Sequence, residues 1–286
     1  MESPEPALNR RHLLTAAGLM GLAAMPAYAV PLIPRTLNLR GRFKQGGYAI
    51  GQADPHTDVW VDGEWRTKAS DIGSFFVGFD RDSPPQCLIE LKGPVSGQYQ
   101  KTICEIYPTS YDVQRIDGLP QNTVTPSDPA LLERIAAEVA LKNEAFAHRE
   151  DADWFRDGFS WPLDIYRVSG TFGNQRILNG VPSRPHYGYD MAAPVGTPVH
   201  APQTGRVVLA EPDLHFEGGL ILIDHGQGVI SMYLHLSQLF VTKGQLIPKG
   251  QLIGYVGAKG RATGPHLCWR LKWRDRALDP SLMASA

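Results

Sequence analysis

Apolar and polar positions alternate along most of this chain, and long helical periods are rare. From His266 to Trp273 the alternation has no break: His266, Cys268, Arg270 and Lys272 fall on one side of an extended segment, and Leu267, Trp269, Leu271 and Trp273 on the other. Such a strand packs one face and leaves the other for chemistry. Val229 to Leu236 shows the same period, which predicts that Ser231, Tyr233 and His235 share a face against Ile230, Met232, Leu234 and Leu236. Residues 205–210, 219–224 and 254–257 predict further strands. In the N-terminal half, residues 58–61, residues 74–79 and the stretches around Cys87 and Cys104 are short and strand-like, punctuated by Gly46-Gly47, Asp62-Gly63 and Pro84-Pro85. One segment breaks the pattern. Asp128 as cap and Pro129 at the first helical position start a helix on which Leu132, Ile135, Val139 and Phe146 fall on roughly one face.

The fold class is therefore mainly β. A small sandwich-like module over residues 30–125 leads through a helical connector, 126–152, into a C-terminal domain, 153–286, built on an antiparallel sheet with an open groove. With 286 residues, 43% hydrophobic and 20% charged, the chain can bury a sizeable core, and its net charge of -1 gives no reason to expect nucleic acid. Residues 1–29 read as an export signal. Arg10-Arg11 precedes Leu13-Leu14 and a short apolar run, Ala27-Tyr28-Ala29 closes it, and the paired arginines are similar to the twin-arginine type. The mature protein is expected to be periplasmic or secreted and not membrane-spanning.

An oxidising compartment gives weight to the three cysteines. A hairpin centred between Val95 and Ser96 sets Cys87 across from Cys104, as a cross-strand disulfide or as two buried thiols; both readings stay open. Cys268 is then the unpaired one, and a lone thiol in such a space needs something, such as a metal, to hold it.

His186, Asp190, His235, His266 and Cys268 all lie on strand-like stretches able to converge on one groove. The other histidines, at 12, 56, 148, 200, 215 and 225, belong to no such set. Imidazole, carboxylate and thiolate are zinc ligand types, and three protein ligands with an open fourth position mark catalytic rather than structural zinc. Period-two geometry brings His186 and Asp190 to the same side, with Gly188 between them leaving room for an ion.

From Val168 to Pro280 the sequence also resembles the lysostaphin-type (LytM-like) zinc peptidases, which cut peptide bonds in bacterial cell-wall peptidoglycan. The resemblance runs through Gly170-Thr171-Phe172-Gly173, His186 to Asp190, Gly196 to Pro202, Tyr233-Leu234-His235-Leu236-Ser237, residues 250–254, Thr263-Gly264-Pro265-His266-Leu267-Cys268 and Asp279-Pro280. It implies that His186 and Asp190 ligate Zn2+, that Cys268 is the third ligand where the family usually has histidine, and that His235 and His266 are the unligated catalytic pair. The implied function is an exported zinc endopeptidase acting on peptidoglycan. The alternative is a non-catalytic cell-wall-binding regulator with a peptidoglycan amidase as its partner. Tyr233 is expected to be a packed aromatic or to lend a hydroxyl to the groove, and Arg270 and Lys272 to be solvated or to meet substrate carboxylates.

Overall fold

The computed structural model describes residues 37–95 and 98–284. The expected export signal, residues 1–29, lies outside the described residues. Two antiparallel sheets make the N-terminal module. Leu39–Arg42, Tyr48–Gln52 and Ser74–Gly78 form one, and Glu64–Lys68, Asp58–Val61, Gln86–Lys92 and Tyr99–Glu105 form the other. Their inner faces share a core of Ala49, Val59, Phe75, Val77 and Ile89, the period-two pattern of a sandwich. Cys87 pairs in register with Cys104, as the hairpin arithmetic predicts, and both are buried free thiols.

The larger sheet has eight strands, all antiparallel. Its order runs Leu246–Ile247, Gly205–Leu214, Gly218–Asp224, Val229–Leu236, His266–Trp273, Tyr189–Ala192 and Arg167–Gly170, with Arg276–Leu278 also paired to His266–Trp273. Leu267, Trp269, Leu271 and Trp273 enter the same core as the N-terminal strands, as their alternation predicts. Phe76 carries this packing across: its ring lies 6.1 Å from Trp273 and 5.3 Å from Phe155. Val208, Leu220, Leu222, Ile230, Met232, Leu234 and Cys268 make a second cluster on the opposite face.

The connector helix, Pro129–Ala147, lies over that second cluster, with Asp128 capping it by accepting from Leu131 N. Its buried face is not the expected one. Leu132 and Val139 are exposed, whereas Glu138 and Ala145 are buried and Leu141 and Phe146 pack on the sheet. Two polar residues conceal the true stripe. Glu138 accepts the His215 N–H at 2.9 Å, and Lys142 Nζ meets Glu217 Oε1 at 2.5 Å, so hydrogen bonds to the sheet hold positions that hydrophobicity would assign to solvent. No described helix is long and apolar enough to cross a membrane.

A fully buried polar chain knits the core beneath the large sheet. Tyr233 OH donates to Ser231 Oγ at 2.8 Å, Ser231 donates to His225 Nε2 at 2.7 Å, and His225 Nδ1–H donates to the Thr204 carbonyl at 2.7 Å. Every member is satisfied only while His225 is neutral. Burial pushes His225 down to about 4. A base whose folded value is depressed binds fewer protons in the folded state than in the unfolded one, so this stability is complete above about pH 6.5 and is lost as pH falls toward 4. The expected loss between pH 7 and 4 is about 3 kcal/mol from this group. Urea midpoints at the two pH values should therefore differ less in His225→Asn than in wild type; equal pH slopes would show that His225 does not carry the effect.

Candidate metal centre and cleft

Strand register assembles the first part of the site. Asp190 pairs with Cys268, and Cys268 in turn with Leu234 on the other side, so Asp190 and Cys268 project from one face of adjacent strands. His186 does not lie on a strand, contrary to the expected extended run from 186 to 190; regular pairing begins only at Tyr189. Its ring reaches the same point because the backbone around it is anchored, Gly173 N donating to the His186 carbonyl and His186 N to the Asn174 carbonyl.

The donor atoms of His186, Asp190 and Cys268 all lie within 4.8 Å of one another. His186 Nε2 is 3.0 Å from Asp190 Oδ1 and 3.5 Å from Cys268 Sγ. Asp190 Oδ1 is buried, and despite that approach it makes no hydrogen bond of good geometry. An unpaired buried carboxylate oxygen is costly unless a cation meets it. Each of the three groups is held through another contact. His186 Nδ1–H donates to the Thr171 carbonyl at 3.1 Å, leaving the Nε2 lone pair free; Arg176 Nη2 donates to Asp190 Oδ2 at 2.9 Å; and Arg270 Nε donates to Cys268 Sγ at 3.3 Å. Glycines keep the space open. A Cβ at Gly188 would stand 2.8 Å from Cys268 Sγ and from Arg270 Cγ, and one at Gly170 would stand 2.7 Å from Asp190 Oδ2.

Charge follows from this enclosure. Burial alone would raise the Asp190 carboxyl, but the His186 and His266 rings and Arg176 outweigh it and hold it well below the usual range. Burial lowers His186, with Asp190 opposing. Burial also pushes the Cys268 thiol up to about 12, with Arg270 opposing, so the thiolate forms here only against a further positive charge. Together the donor types, the orphaned oxygen and the cleared space fit a zinc ion.

His235 arrives by a different route. Ile221 pairs with Tyr233 and Gly219 with Leu236, so Leu234 and His235 together face the single residue Leu220. This is a β-bulge, and His235 takes the left-handed conformation with φ 67°. The bulge corrects the expected face. Ser231 and Tyr233 point into the core, where Tyr233 is buried and bonded to Ser231, while His235 turns to the metal face. Its Nδ1–H donates to the Lys259 carbonyl at 2.8 Å. The His266 ring lies 4.6 Å away, its Nδ1–H donating to the Gly264 carbonyl and its Nε2 standing 3.8 Å from Asp190 Oδ1. Burial, then the neighbouring His266, pushes His235 down to about 3.

All five residues named from the sequence thus meet at one place. Arg270 and Lys272 do not serve as expected: Arg270 is bound to the Cys268 sulfur, and Lys272 Nζ sits 4.3 Å from the centre of the Phe146 ring. The residues that sequence reasoning missed are Arg176, Thr171 and Gly170. Thr171 and Gly170 belong to the Gly170-Thr171-Phe172-Gly173 motif, which was the available signal; nothing near Arg176 marks it.

Residues 184–280 match Peptidase family M23. Peptidoglycan DD-endopeptidase ShyA of Vibrio cholerae serotype O1 is 37% identical over 145 residues, covering 47% of this chain and 33% of that protein. The chain spans about a third or less of the length of such curated relatives. A Pseudomonas aeruginosa crystal structure assigned to peptidase M23 is 28% identical, covers 85% of this chain and 95% of its own, and superposes with a TM-score of 0.65. The catalytic domain of the antimicrobial peptidase lysostaphin from Staphylococcus simulans is 32% identical, covering 41% of this chain and 90% of that domain, with a TM-score of 0.37. With the matched segment spanning the His186, Asp190 and Cys268 cluster and both histidines beside it, the chain belongs to peptidase family M23.

Proposed function

We propose that this chain is an exported zinc metallo-endopeptidase that hydrolyses peptide bonds of bacterial cell-wall peptidoglycan. The observation that carries the reading is the meeting of three buried donors of different chemistry around an Asp190 oxygen that nothing else satisfies, with two further imidazoles alongside. The likeness to peptidoglycan DD-endopeptidases supports the substrate class, and the twin-arginine-like start supports export.

His186, Asp190 and Cys268 would hold the ion. Zinc bound there would polarise a scissile carbonyl and lower the pKa of water. The protein's own part follows from the histidine geometry. His235 is neutral, and its Nδ1–H is committed to Lys259, so Nε2 is free to accept a proton from water. His266, one ring-width away and with its Nδ1–H held by the Gly264 carbonyl, would carry a second proton on Nε2 to hydrogen-bond the developing oxyanion and then pass to the leaving amine, as His235 takes the proton from water. Arg270 would favour the Cys268 thiolate once the ion supplies the further positive charge, and Arg176 leaves only one Asp190 oxygen for the ion.

Purified mature protein should contain about one zinc per chain, lost in His186→Ala and Asp190→Ala. With cobalt(II) in its place, wild type should show a thiolate-to-metal charge-transfer absorption that Cys268→Ser lacks; the same absorption in Cys268→Ser would remove the cysteine from the ligand set. Gly188→Ala should fold as wild type yet bind zinc at least about tenfold more weakly, because its methyl occupies the space between the sulfur and His186. Equilibrium dialysis with chelator buffers measures this.

Digestion of purified peptidoglycan, with released fragments identified by mass spectrometry, tests the activity itself. Chelator should stop it, and His235→Ala or His266→Ala should slow it about a hundredfold or more with zinc content retained. Loss of zinc in either variant would mean a closed four-ligand structural site. A folded wild type with no zinc and no digestion would point instead to a non-catalytic regulator of an amidase.

A further inference from the structure

The cleft over the two histidines is walled by a segment from the N-terminal half. Val113–Ile116 pairs in parallel with Gln175–Leu178, and Asn179 clasps the chain beyond it, its Nδ2 donating to the Leu119 carbonyl at 2.8 Å and its Oδ1 accepting from Leu119 N at 3.1 Å. At the other rim, Arg261 Nη1 donates to the Thr123 carbonyl at 3.3 Å and His215 Nε2 to the Asn122 carbonyl at 3.1 Å. Residues 113–123 therefore run from one rim to the other, and Gln114, Ile116 and Leu119 face the cleft.

This space, about 370 Å³, is lined by three guanidinium groups, Arg167, Arg176 and Arg261, and among the described residues by one carboxylate, Asp190. Arg176 is already paired with Asp190. Arg167 and Arg261 form no ion pair among the described residues. Arg261 is half-buried, its guanidinium carbon 5.0 Å from the centre of the Phe216 ring, and burial together with the nearby Arg270 and Arg176 disfavours its charge. Like charges gathered in a walled cleft repel one another and raise the local concentration of anions. The arrangement is favourable once an anion enters, and guanidinium groups match carboxylates in geometry as well as charge.

We propose that Arg261 and Arg167 are specificity-determining residues that bind a substrate carboxylate, selecting peptides in which the leaving amine carries an α-carboxylate. This rests on the reading of the site as a peptidoglycan peptidase. Two kinds of peptide present the group. One is a stem whose last residue is free; the other is a direct cross-link through a diamino acid that keeps a carboxylate beside the amine to be released. An internal peptide or a glycine bridge offers a neutral amide at that point and leaves both arginines unmatched.

The test compares the zinc-loaded protein on four probes: an acyl-L-Lys-D-Ala-D-Ala peptide as free acid and as carboxamide, and a directly cross-linked stem-peptide dimer with its diamino-acid carboxylate free and amidated. Wild type should favour the acid of at least one pair by about tenfold or more in kcat/KM, a preference that falls several-fold in Arg261→Met and in Arg167→Met, mostly through KM, and is partly restored by Arg261→Lys. Preference on the first pair assigns the chain end, preference on the second the cross-link, and either supports the proposal. Because the readout is a ratio within each variant, general loss of fold does not mimic it. Equal cleavage of acid and amide in both pairs, or an acid preference that survives in the Arg261→Met/Arg167→Met double variant, would overturn the proposal and leave peptidoglycan hydrolysis standing. Cleavage of none of the four probes, together with no digestion of whole peptidoglycan, would overturn both.

Discussion

The pairing of Tyr189–Ala192 with His266–Trp273 is the constraint on which the site depends, because its register sets Asp190 opposite Cys268. A slip of one residue would turn the carboxylate into the core and Met191 into the cleft. What prevents it is the packing on the other face. Met191 and Leu267 are partners in the same register and both are wholly buried, as are Trp269 and Trp273. Apolar burial on one face of the strand thus holds the polar face in alignment, and aromatic contacts through Phe76 extend that support into the N-terminal module.

Around this aligned pair the chain departs from regular structure where the chemistry requires it. His235 is carried to the face of Asp190 and Cys268 by one inserted residue, at the cost of a left-handed backbone on a side chain with a Cβ. Gly170 and Gly188 withhold the methyl groups that would fill the space beside Asp190 and Cys268. These features make local sense only together: the bulge delivers a ring to the donor cluster, and the glycines keep the space beside that cluster open.

Electrostatics complete the arrangement. Three arginines approach the donor cluster, Arg176 on Asp190, Arg270 on Cys268 and Arg261 at the rim, so the carboxylate and the thiol are surrounded by positive charge. The buried network of His225, Ser231 and Tyr233 lies on the opposite face of the sheet and serves the core rather than the cleft.

Much of this was determined by the sequence alone. Period two defines the strands, and the unbroken alternation at His266–Trp273 separates core from cleft. The five polar positions, His186, Asp190, His235, His266 and Cys268, stand out because few others combine those residue types on strand-like stretches. The hairpin arithmetic likewise gives the register of Cys87 with Cys104. Three things were decided only by tertiary structure. The bulge at His235 reversed the side on which Tyr233 was expected, since alternation cannot reveal an inserted residue. The connector helix buries Glu138 and half-buries Lys142 because partners on the sheet satisfy them, and hydrophobicity along the helix carries no information about those partners. The arginines around the cleft acquire their contacts from other elements of the fold, Arg176 from Asp190 and Arg261 from the distant Thr123, since a charge has no legible function until the fold supplies its neighbours.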